Sequence, residues 1–114
     1  MPGFINRWGR VFFKQTLTSA GYSDIVIPDA DPAHLENIFI LVTCAGDVTA
    51  RAIVQFTGDD PQLVKANDSS VTWVNWTNGE LVAGESSYNI VGRAMTGIRF
   101  QQTGTGTVVC VVSY

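Results

Sequence analysis

Apolar and polar side chains alternate along much of the chain with the two-residue period of a half-buried strand. In VTARAIVQFT, residues 48–57, Val48, Ala50, Ala52, Val54 and Phe56 fall on one face, while Thr49, Arg51, Gln55 and Thr57 face out. MTGIRFQQ places Ile98 and Phe100 together in the same way. Two runs break the alternation: NIFILVTC and TVVCVVSY are apolar on both parities, which predicts strands interior to a sheet or covered at a subunit interface. RVFFKQTL, YSDIVI, VTWVNW, ELVAG and SSYNIV complete a set of eight or nine short strands, with turn residues between them.

The spacing is near-regular and no segment has a convincing helical period. This predicts an all-β chain folded as an antiparallel β-sandwich, of Greek-key or jelly-roll type. Asn78-Gly79 is the strongest hairpin-turn dipeptide, and Ala45-Gly46 and Gly104-Thr105-Gly106 also read as hairpin turns. GDDPQLVKANDSS, residues 58–70, reads as a long polar loop, a length that usually marks contact or function. PDADPAHLEN places Asp31 at an N-cap and Pro32 after it, enough for a single turn.

Residues 1–9 have no clear period and carry Phe4, Ile5 and Trp8. They read as an N-terminal arm on a single sandwich domain over residues 10–114. Apolar side chains in such an arm must fold back on their own domain or dock on a neighbour.

Charge sharpens this division. The chain has 114 residues, 46% apolar and 15% charged, with net charge −3. Residues 1–23 hold Arg7, Arg10 and Lys14 and no acid, whereas all ten acids lie in the remainder with four basic residues. An acidic body argues against nucleic acid as partner. So poorly charged a surface predicts cover by a protein partner or by copies of the chain. No apolar run spans a bilayer, and MPGFINRWGRVFFKQ lacks the apolar core of a secretory signal, so a chain made in a cytoplasm and not bound to membrane is expected.

Candidate chemistry is sparse. His34 lies near Asp29, Asp31 and Glu36, but turn-forming and capping aspartates explain that segment without a metal. Cys44 and Cys110 sit inside apolar runs, as buried reduced thiols do; a disulfide between adjacent strands is the other possibility. No nucleophile elbow or metal-ligand spacing is present, so no catalytic residue, metal or cofactor is expected. Trp73 and Trp76, three apart in one strand, point to opposite faces: one fills the core and the other stands outside, where it can stack on a sugar or pack against a subunit.

The order of these features, from LTSAG and IVIP through IFILVTCAG, VTARAIVQFTGDD and VTWVNW to SYNIVGRAMTGIRFQQ and TVVCVVSY, resembles the small β-sandwich proteins of tailed-bacteriophage virions. These serve as capsid decoration (cement) proteins, fibre modules and similar attachments. The likeness covers roughly residues 16–114, and loop 58–70 is longer than the tight turn expected before the Trp strand. It implies a non-enzymatic protein of the virion, foremost a decoration protein that binds the major capsid protein or another virion protein as a dimeric or trimeric homo-oligomer. In that role Phe4, Ile5, Trp8, Phe12 and Phe13 would supply buried anchors, and Arg7, Arg10 and Lys14 would set register on acidic patches. A glycan-binding module of a tail fibre, using Trp73 or Trp76, and a head–tail connector subunit are the alternatives.

Overall fold

The computed structural model describes residues 3–5, 11–28, 38–45, 49–91 and 95–113. Nine strands and one short helix are found among them: β1 (Gly3–Ile5), β2 (Val11–Leu17), β3 (Gly21–Tyr22), β4 (Ile38–Ala45), β5 (Arg51–Thr57), α1 (Pro61–Lys65), β6 (Val74–Val82), β7 (Ser86–Val91), β8 (Gly97–Gln102) and β9 (Thr107–Ser113). They form a five-stranded sheet in the order β1-β2-β9-β4-β7 and a four-stranded sheet in the order β3-β8-β5-β6. The chain is an all-β antiparallel sandwich.

The pairings settle the connectivity left open by the sequence. β5 pairs with β6, β4 with β7, β3 with β8 and β2 with β9, all antiparallel. The chain is thus one long hairpin doubled back at the segment holding α1. It is then rolled so that β4 meets β9 and β5 meets β8. That is jelly-roll topology.

The two-residue period places the core between the sheets. Ile38, Ile40, Val42 and Cys44 of β4 face inward, as do Val108, Cys110 and Val112 of β9. Ala52 and Val54 of β5 and Ile98 and Phe100 of β8 meet them from the other sheet. Phe13 stacks nearly parallel on Phe100, with ring centroids 6.4 Å apart. Each such buried side chain stabilises the fold by about 1.5–3 kcal/mol relative to exposure. Gln102 fastens the seam: its amide nitrogen donates to the carbonyls of Leu17 at 3.2 Å and Gly106 at 3.1 Å.

Several expectations are corrected, among them the outward placement of Thr57, which is buried at the end of β5. Asn78-Gly79 is not a turn but lies inside β6, whose register against β5 jumps from Ala52↔Leu81 to Val54↔Trp76. Residues 77–80 form the bulge, and a Cβ on Gly79 would stand 2.5 Å from Val54 Cγ2, so glycine serves close approach here. The turn that follows β6 is Ala83-Gly84, with Gly84 at φ +89.

The closing Thr/Gly segment is likewise no hairpin. β8 and β9 lie in opposite sheets, so residues 103–106 cross the sandwich. The same holds for the connection between β4 and β5. A rolled chain pairs distant strands, and sequential strands facing each other across a core cannot be joined by a ladder.

Residues 58–70 are not wholly loop, because Pro61–Lys65 is helical. The Asp60 side chain accepts from the Gln62 N–H at 2.9 Å, Pro61 opens the helix, and Val64 is fully buried. Finally, YSDIVI is not one strand: β3 holds only Gly21–Tyr22, and Val26 returns as an isolated bridge to Ile98.

Candidate functional site

The sandwich has two outward faces, and their chemistry differs. Strand register arranges the outer face of the five-stranded sheet in rows. Phe12, Ser113, Phe39 and Ile90 form the first row, and Lys14, Val111, Leu41 and Tyr88 the second. Thr16, Val109, Thr43 and Ser86 form a third, more polar row. In the first two rows Tyr88 is 63% exposed, Ile90 53% and Leu41 37%. Phe39 and Tyr88 stack with centroids 6.1 Å apart. A depression of about 290 Å³ is lined by Phe12, Phe39, Leu41, Tyr88, Val111 and Ser113. Large apolar side chains left exposed at Leu41, Tyr88 and Ile90 fit a protein interface better than a solvated surface.

The outer face of the four-stranded sheet is mixed, with polar Arg51, Gln55, Asn75, Arg99 and Gln101 beside half-buried Ile53 and exposed Tyr22 and Val82. Tyr22, Gln101 and Ile53 align in one row, and Arg99, Gln55 and Asn75 in the next. Arg99 Nε donates to Gln55 Oε1 at 2.7 Å, and Gln55 Nε2 donates to Asn75 Oδ1 at 2.7 Å. The Arg99 guanidinium carbon lies 4.1 Å from the Tyr22 ring centre and 4.3 Å from that of Trp73. Partial burial pulls Arg99 below the usual arginine range, with the Tyr22 phenol acting the other way.

Those residues singled out from sequence that the structure describes divide between the two outward faces and the core. Phe12 is half-buried on the outer face and Lys14 is exposed beside it. Phe13 is corrected from partner anchor to core residue, 1% exposed, because successive strand residues point to opposite faces. Gly3–Ile5, carrying Phe4 and Ile5, pairs along β2 as an edge strand, with Phe4 opposite Phe12 in register. Arg7, Trp8 and Arg10 lie outside the described residues, as do His34, Asp29, Asp31 and Glu36. Trp76 is half-buried against the core, 5.3 Å from the Phe56 ring, whereas Trp73 carries Arg99 over its face.

Sequence reading missed Leu41, Tyr88, Ile90 and Val111. The signal for Leu41 and Val111 was present in the doubly apolar runs of β4 and β9, where a second apolar parity marks an outer face as readily as a buried one; Tyr88 and Ile90 lie in β7, whose sequence SSYNIV carries no such double run. It also missed Tyr22, Gln55 and Arg99, which only the fold places side by side.

Both cysteines are buried free thiols. Cys44 faces Val108 and Cys110 faces Val42 across the β4–β9 ladder, a diagonal offset too wide for a relaxed disulfide. Burial pushes the Cys110 thiol up to about 12 and raises Cys44 as well. Among the described residues no three His, Cys, Asp or Glu side chains come together to hold a metal ion, and no helix is long and apolar enough to cross a membrane.

No protein-family model and no curated protein matches the chain. Among solved structures, one from work on the mechanism of oxalate oxidase superposes with TM-score 0.49 and 16% identity, over 95% of this chain and 42% of that one. The chain therefore spans less than half of that protein's length. A second, of Bacillus endospore appendages that form disulfide-linked pili, gives TM-score 0.42 and 13% identity over 92% of this chain and 87% of that one. At these scores the likenesses bear on neither activity nor partners.

Proposed function

We propose that this chain is a non-enzymatic structural protein of a phage virion, of the capsid-decoration type, which docks on the protein shell through the outer face of its five-stranded sheet. The observation that carries the reading is the exposure of Leu41, Tyr88 and Ile90 on a strand-built and therefore rigid platform, continuous in register with half-buried Phe12, Phe39 and Val111. Rigid aromatic and aliphatic side chains of this kind bind with little loss of conformational entropy. Lys14 at the margin adds a charge suited to an acidic patch on the shell. Repeated copies on a symmetric shell, joined as a dimer or trimer, raise weak single contacts by avidity.

The test is co-sedimentation of the purified protein with shells assembled from the major capsid protein of the same virus. Removing residues 1–13 is a poor probe, since it also takes Phe13 from the core. Leu41→Glu combined with Tyr88→Ala leaves the core untouched and should weaken shell binding about a hundredfold, the loss of two hot-spot contacts. Undiminished binding by a folded double variant rejects docking through this face.

A further inference from the structure

Arg99 stands on the opposite face from the apolar platform, and its surroundings are unusual for an arginine. Two aromatic rings clamp the guanidinium at 4.1 and 4.3 Å, and Nε is already committed to Gln55. Gln55 is in turn fixed by Asn75. These contacts hold the side chain's plane and remove rotamer freedom before any ligand arrives. Yet the terminal nitrogens have no hydrogen-bond acceptor among the described residues, and no carboxylate there pairs with the charge. A fixed guanidinium with an unfilled fork matches a carboxylate, which it can hold through two parallel hydrogen bonds.

The neighbours narrow the ligand further. Tyr22 is 51% exposed and offers ring surface. Gln101 lies beside it in register and its side chain makes no hydrogen bond among the described residues, and the Asn75 amide nitrogen likewise keeps its donors. Amides both donate and accept, as hydroxyl groups do, so these side chains suit a polyhydroxylated ligand. A protein partner would instead call for an apolar centre with a polar rim. That centre is found on the other face.

We propose that the outer face of the four-stranded sheet binds an acidic sugar, of uronic- or sialic-acid class, with its carboxylate on Arg99, its ring against Tyr22 and its hydroxyls on Gln101 and Asn75. The site does not depend on shell docking. It is compatible with it, because a sandwich seated by one sheet presents the other outward.

The experiment is an NMR titration of the isolated ¹⁵N-labelled protein with sodium glucuronate and with N-acetylneuraminate, against glucose and glutarate at matched ionic strength. At least one acidic sugar should shift the Trp73 indole N–H and the Gln55, Asn75 and Gln101 side-chain amides along a saturable curve. Glucose and glutarate should bind about tenfold more weakly or less, since each lacks half of the recognised chemistry. Arg99→Gln should lower affinity about tenfold, Arg99→Lys should lower it too by losing the planar fork, and Tyr22→Ala should weaken ring contact. If Arg99→Gln loses its amide dispersion, the lysine and Tyr22 variants decide the matter. No saturable shift with either acidic sugar overturns the proposal. So does glutarate binding as tightly as the sugars, which would mark a general carboxylate or acidic-peptide site, or glucose doing so, which would remove Arg99 as the reader.

Discussion

The two outward faces are built from the same pleat and the same period, yet one is finished with Leu41, Tyr88, Ile90 and Val111 and the other with Gln55, Asn75, Gln101 and Arg99. The difference is not required by the fold, because either sheet could carry a solvated outer face over the same valine-rich core. On the apolar face, exposed area costs solubility unless a partner covers it. On the polar face, amides and a clamped guanidinium are content in water and gain only from a ligand with matching groups. One face is shaped for area, the other for chemistry.

The sharpest way to separate inside from outside is the pair Phe12 and Phe13. Phe13→Ala opens a cavity between Phe100 and the five-stranded sheet and should cost about 3–5 kcal/mol in urea or thermal unfolding. Phe12→Ala, on the outer face, should cost clearly less. Equal losses would mean that the outer face is as buried as the core.

The bulge tests how the polar face is held. Gly79→Ala forces a methyl group onto Val54 and Trp76 and should destabilise by about 1–3 kcal/mol, with a lower unfolding midpoint. A neutral result would show that β6 does not need its close approach to β5.

The inner sides differ as well, for Cys44 and Cys110 both belong to the five-stranded sheet. Cys110 is held protonated in the fold, from an ordinary value of 9.0 up to about 12. Its contribution is whole below pH 9 and is lost as pH rises toward 12, so unfolding free energy should fall by about 1 kcal/mol near pH 10. Cys110→Ala should flatten that slope, and a slope unchanged by the substitution would place the alkaline sensitivity elsewhere.

The smallest effect belongs to the surface itself. Arg99→Gln should change stability by no more than about 1 kcal/mol, since the clamp is partly exposed. A loss of several kcal/mol in unfolding would make Arg99 a structural strut.

Fold class was legible because alternation in VTARAIVQFT and GIRFQQ reports which parity is buried, and the buried Ala52, Val54, Ile98 and Phe100 follow it. Turn positions were less legible. Asn78-Gly79 has the chemistry of a hairpin but lies in the bulge of a strand with Gly79 against the Val54 side chain, where missing Cβ volume matters more than φ. The helix at Pro61–Lys65 was missed for a related reason: its Asp-Pro opening is a cap signal in one turn, with no periodic run behind it. The outer faces were the least legible. Tyr22, Gln55, Arg99 and Trp73 are far apart in sequence, and only rolling the chain brings them together.

The central claim, that the apolar face docks the shell and the polar face does not, is tested most directly by one crossed binding experiment. Shell co-sedimentation is measured for the parent, for Leu41→Glu with Tyr88→Ala, and for Arg99→Gln, each confirmed folded. Docking through the five-stranded sheet predicts about a hundredfold loss for the first variant and parent-like binding for the second. Parent-like binding by the double variant, or loss with Arg99→Gln alone, contradicts it.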